Sequence, residues 1–200
     1  RDMLGDAEQI RNGDNRTAVI AWLGYDSPAG TGDISRLYDF PTGAGEGRAA
    51  QGAVSLREFL GGLALQDQHV SILGHSYGSI VTMRAAESGG LPTADNIVTL
   101  GSPGSEIYNS VSDLKLQSGQ RFYTMAADQD IVAGAFGDVV PGHARGPHPA
   151  LWSLGPPGLL ADAMLTSRTP TDPGFGGERL ETDAWGRASR DSTGHSAYYA

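Results

Sequence analysis

Short, unbroken apolar runs, three of the four stopped by glycine and separated by segments of helical spacing, constrain this chain more than any other feature. Four such runs stand out. They are "RTAVIAWLGYD" at 16–26, which stops at Gly24, "HVSIL" at 69–73, "NIVTL" at 96–100, which leads into "GSPG", and "RFYTMAA" at 121–127. Continuous apolar runs rich in β-formers predict strands buried on both faces. Between the first two, Ala49, Ala53, Leu56, Leu60 and Leu63 recur at spacings of four and three, which is one face of a helix. Residues 77–88 carry Ile80, Met83 and Ala86 and end at Gly89-Gly90, a helix with a glycine stop. Residues 2–12 read as the end of a helix. Alternation of this kind predicts an α/β fold with a mostly parallel sheet flanked by helices.

The remaining segments are read from composition. A Gly/Pro/Ser loop runs from Ser27 to about Gly47, and 134–177 is a Gly/Pro-rich loop or cap region with a short helix at 159–165. No fixed-period repeat or linker divides the 200 residues, so 1–200 is expected to be a single domain. The apolar fraction of 39% suffices for a core, and a net charge of -9 argues against a nucleic-acid surface. With no cysteine there is no disulfide, thiolate metal site or cysteine nucleophile. No apolar run approaches the roughly 20 residues of a membrane span. No histidines or acids show zinc-motif spacing, so neither metal nor cofactor is expected.

The chemistry concentrates in "SILGHSYGSI", 71–80. The pattern G-x-S-x-G is weak alone, since with 29 glycines a chain of this length gives roughly 0.3 chance matches. Its setting is stronger. A nucleophile elbow needs a strand, a sharp turn that strains the serine backbone, and a helix at once, with glycines two before and two after where strand and helix crowd together. Strand 69–73, Gly74, Ser76, Gly78 and a helix to Ser88 supply that order. A serine hydroxyl needs a base to become a nucleophile, and an acid and then a histidine follow in chain order. "MAADQDIVAG" offers Asp130, favoured because apolar residues follow it, and Asp128, which suits a turn-capping role. "STGHSAYY" offers His195, with Tyr198-Tyr199 after it to pack the loop. His75 adjoins the serine and diverges from it, His69 lies at the opposite end of the sheet, and His143 and His148 fall in the Gly/Pro-rich loop.

These stretches resemble an uncharacterised actinobacterial α/β-hydrolase family. "AWLGYDSP", "GHSYGS", "VTLGSPG", "DIV", "DPGFGGERL" and "GHSAYY" match its signature stretches in order and span 21–199. The resemblance implies the α/β-hydrolase fold and a Ser76, Asp130, His195 triad, without implying a substrate. It also implies an oxyanion-hole strand and loop ahead of 16–23, with no counterpart here. The expectation is therefore a fragment of a longer chain, or a second chain or segment that supplies the missing N-terminal strands. A less favoured alternative has Gly24-Tyr25 as the oxyanion loop.

The expected function is a serine hydrolase that cleaves a small-molecule or lipid carboxylic ester through an acyl-enzyme on Ser76. The Tyr77 backbone N–H would be one oxyanion donor. Trp152, Leu159 and Leu160 are candidate walls of an acyl pocket. Acyl transfer or amide hydrolysis with the same triad, and a non-catalytic hydrolase-like binding module, are the alternatives.

Overall fold

The computed structural model describes residues 3–26, 43–105, 107–127 and 169–181, together with Asp130 and Tyr198. Helix α1 spans Met3–Arg11 and α2 spans Gly43–Gly61. Strand β1, Ser71–His75, leads through one residue into helix α3, Tyr77–Ala86. Strands β2, Asn96–Leu100, β3, Arg121–Met125, and the two-residue β4, Glu178–Arg179, complete the described α-helices and strands.

The strands form one sheet in the order β1-β2-β3-β4, every pair parallel. Ser71 pairs with Asn96 and Asn96 with Arg121, so the first three strands start level. Parallel register puts all their carboxyl ends on one edge, and His75, Leu100 and Met125 mark it.

The predicted helical face is the one that is buried. Ala49, Ala53, Leu56 and Leu60 of α2 join Ile80, Val81 and Met83 of α3 and Ile97 of β2 in one apolar core. α2 packs on α3, and α3 packs on β1 and β2. Arg57 ties the two helices together. Its guanidinium donates to the main-chain carbonyls of Ala85 at 2.8 Å and Arg84 at 2.6 Å, which lie in the last turn of α3. Carbonyls in a last helical turn lie beyond the regular ladder of the helix and gain from a cation there. α3 ends at Ala86, two residues short of the predicted 88, because the backbone leaves the helix at Glu87 and Ser88, before the glycines. Ser88 takes φ 55° and Gly89 φ +74°, and a 3-10 turn over Glu87–Gly89 ends the helical segment.

Two expectations need correction. Residues 16–26 are not a buried strand: no strand pairing includes them among the described residues, and Ile20 and Leu23 are 58% and 65% exposed. An apolar run becomes a strand only where another strand takes its N–H and C=O groups. Its aromatic residues anchor the segment instead. The Trp22 ring lies 5.9 Å from that of Tyr25 and 6.2 Å from that of Phe59, and Tyr25 lies 5.9 Å from Tyr77. β1 is accordingly the edge of the described sheet, with Leu73 40% exposed, whereas β2 is buried from Ile97 onward. The second correction is the start of α2. The helix begins at Gly43, inside the stretch read as loop, because the packed face from Ala49 onward supports a helix that glycine propensity alone would not.

Candidate functional site

Ser76 is the single residue between the last residue of β1 and the first of α3. Its backbone is forced to φ 55°, ψ -129°. For a residue with a Cβ such a conformation costs on the order of 1–3 kcal/mol and persists only where the surroundings over-determine it. Those surroundings are on hand. The Ser76 N–H donates to Leu100 O at 2.9 Å, and the Ser76 carbonyl accepts from the Ser79 N–H at 2.9 Å and the Ser79 hydroxyl at 2.6 Å.

The two glycines around Ser76 are not equivalent. A Cβ on Gly74 would stand 2.6 Å from Gly78 O, 2.6 Å from Thr82 Oγ1 and 2.8 Å from Ser79 Cα. Here β1 and α3 do approach too closely for any side chain. A Cβ on Gly78 would meet Tyr25 Oη at 3.4 Å as its nearest described neighbour, which is ordinary contact. The sequence-based expectation that crowding requires both glycines holds for Gly74, whereas among the described residues nothing crowds Gly78.

Ser79 extends the arrangement to the neighbouring strand. Its Oγ lies 2.7 Å from Ser102 Oγ, which in turn accepts from the Gly104 N–H at 3.2 Å. Ser79 and Ser102 are both fully buried, so each hydroxyl needs the partner it has. This chain of bonds clamps the first turn of α3 to the "GSPG" turn after β2. The composition of "GSPG" carries no sign of it.

Asp130 sits at the same carboxyl edge, just past β3, with β2 intervening between it and the Ser76 turn. It is 1% exposed, and its N–H closes a turn onto Ala127 O at 2.9 Å. A carboxylate so buried must be held by polar partners. One is Tyr198, whose hydroxyl donates to Asp130 Oδ2 and accepts from the Ala127 N–H at 2.9 Å. Burial chiefly, and also the Asp130 charge and the hydrogen bond to it, push the Tyr198 phenol well above the usual tyrosine range. The Tyr198 ring also rests, at 5.5 Å and a tilt of 60°, on His75, the residue before Ser76. Burial alone raises Tyr25, to about 12.

Tyr77 opens α3 and is buried, so its main-chain N–H stands at the positive end of the helix dipole. His69 precedes β1, with Nδ1 3.2 Å from Asp95 and Nε2 3.0 Å from Asn96 Nδ2, at the amino ends of the strands and away from Ser76. His195 and Asp128 lie outside the described residues, as do His143, His148, Trp152, Leu159 and Leu160. Ser76, Asp130 and Tyr77 are thus brought to one sheet edge. Tyr198 and the Ser79–Ser102 pair join them without having been singled out from the sequence for those roles.

A parallel sheet with a strained serine between strand and helix, and a buried acid two strands further along at the same carboxyl edge, defines an α/β protein. Comparison with known proteins agrees. The profile of a family described as "Alpha/beta hydrolase" matches residues 1–139, and the chain belongs to that family. An uncharacterized protein of Mycobacterium tuberculosis is 36% identical over 163 residues, covering 76% of this chain and 56% of the relative. An uncharacterized protein of Mycobacterium bovis matches to the same extent. A second uncharacterized M. tuberculosis protein is 37% identical over 123 residues, which is 60% of this chain and 17% of that protein. The chain spans about half the length of the first two relatives. No solved structure matches it. Among the described residues no helix is long and apolar enough to cross a membrane.

Proposed function

We propose that the chain is a serine hydrolase that cleaves carboxylic esters through an acyl-enzyme on Ser76. The observation that carries this reading is the backbone of Ser76, held at φ 55°, ψ -129° between β1 and α3, with the buried Asp130 on the same sheet edge. Strain of that kind is retained where a side chain must be presented at one fixed point. Family membership supports hydrolysis as the reaction class.

In the proposed mechanism the Ser76 hydroxyl attacks the ester carbonyl carbon while His195 accepts its proton. Asp130 orients the imidazole and stabilises its charged form. The carbonyl oxygen becomes an oxyanion, toward which the Tyr77 N–H donates from the positive end of α3. Collapse breaks the bond to the alcohol, which leaves with the proton from His195. Water then attacks the acyl-enzyme, His195 takes and returns a second proton, and the carboxylic acid departs with Ser76 restored. The role of His195 rests on its place in chain order and on the "GHSAYY" resemblance.

Hydrolysis of short p-nitrophenyl esters by the wild type and by Ser76→Ala tests the reading. The variant should lose at least about 10³-fold in kcat with its thermal melt nearly unchanged. A Ser76→Ala protein as active as the wild type would overturn the mechanism.

A further inference from the structure

We propose that Tyr198 is a positioning residue of this site, its hydroxyl holding the Asp130 carboxylate in the orientation that the catalytic base requires. The inference rests on the proposed role of Asp130 and goes beyond it. A tyrosine needed only for packing would be replaceable by any ring of its size. Here the oxygen bridges two groups of the segment that follows β3. It accepts from the Ala127 N–H at 2.9 Å and donates its one proton to Asp130 Oδ2. The backbone at the end of β3 and the carboxylate are thereby fixed relative to each other by one atom. A charge-assisted hydrogen bond to one carboxylate oxygen restricts rotation of the group and so narrows the directions open to its second oxygen. Orientation of the acid sets the tautomer and direction of the imidazole in a triad. The ring, meanwhile, rests on His75, immediately before Ser76, at a centroid distance of 5.5 Å. Tyr198 therefore spans from the β3 end to the β1 end of the edge on which the chemistry is placed, across β2. Its phenol is held in the neutral, donating form by burial and by the Asp130 charge.

The test is a double-mutant cycle in the full chain with Tyr198→Phe, Asp130→Asn and the pair, read as kcat and KM on a p-nitrophenyl ester and as the rate of fluorophosphonate labelling. Tyr198→Phe removes one oxygen and keeps the ring against His75. The expected result is a fall of about tenfold in kcat and in labelling rate with KM close to wild type, and a change below about twofold in the Asp130→Asn background. An unchanged kcat in Tyr198→Phe, or the same loss in the wild-type and Asp130→Asn backgrounds, overturns the proposal. If Tyr198→Phe does not fold, Tyr198→Met, which also lacks the hydroxyl, is read against the same outcomes. Ser76→Ala is run alongside. Activity that survives Ser76→Ala refutes the hydrolase reading itself, whereas loss in Ser76→Ala with no effect of Tyr198→Phe refutes only the role of Tyr198.

Discussion

Alanine at Gly74 and alanine at Gly78 should act in opposite directions, although both glycines belong to one five-residue motif. In Gly74→Ala the new methyl would stand 2.6 Å from Gly78 O, 2.6 Å from Thr82 Oγ1 and 2.8 Å from Ser79 Cα. Ordinary contact begins near 3.4 Å, so α3 must retreat from β1 by roughly 0.6 to 0.8 Å. Two of the three obstructing atoms are backbone and cannot be rotated away. Overpacking of this kind costs about 1–3 kcal/mol, and the upper half of that range applies because the Ser79–Ser102 bond and the Ser76 turn move with the helix. In Gly78→Ala the methyl meets Tyr25 Oη at 3.4 Å, and a helical glycine exchanged for alanine gains about 0.5–1 kcal/mol. Urea denaturation of the two variants beside the wild type measures both signs. Gly74→Ala should also lose about 10²-fold in ester turnover, the order expected when a reacting group is misplaced by up to 1 Å. Equal stabilities for Gly74→Ala and wild type, or equal losses in the two variants, would refute the packing argument.

Three further outcomes follow from the same geometry. Ser76→Gly should be inactive yet more stable by about 1–3 kcal/mol, since glycine adopts φ 55° without strain; a destabilised Ser76→Gly in a thermal melt would contradict the strain. Asp130→Asn should cost far more rate than Asp128→Asn in steady-state ester hydrolysis, and the reverse ranking would move the acid to Asp128. Spectrophotometric titration of the phenols should show Tyr25 ionising near pH 12 rather than near pH 10, and losing that late step in Tyr25→Phe. The sign follows from burial: the folded state keeps the Tyr25 proton that the unfolded chain gives up near pH 10, so this tyrosine's contribution is fully present below pH 10 and is lost as pH rises from there toward 12.

What could be read from the sequence was local. "NIVTL" is β2 residue for residue, and the spacing of Ala49, Ala53, Leu56 and Leu60 marks the buried face of α2. Both signals come from a few adjacent residues whose periodicity matches the element they form. The apolar run "HVSIL" ends β1 two residues early, since the pairing continues through Gly74 and His75. "RTAVIAWLGYD" has the composition of a strand and is not one, because no strand among the described residues takes up its N–H and C=O groups. The site divides in the same way. Ser76 and Asp130 were legible as candidates because each follows a predicted strand. The hydroxyl of Tyr198 was not, since its partners Ala127 and Asp130 lie 71 and 68 residues away and no local pattern encodes such a contact. The Ser79–Ser102 bond, 23 residues in span, escaped for the same reason.

Acylation of Ser76 itself is the step on which the proposed mechanism turns. Incubation of the wild-type chain with a fluorophosphonate, tryptic digestion and mass spectrometry of the peptide Glu58–Arg84 would read this at single-residue resolution. A single adduct on Ser76, absent from Ser76→Ala, is the predicted result. An unlabelled peptide, or an adduct on Ser71 or Ser79 in place of Ser76, would contradict the account.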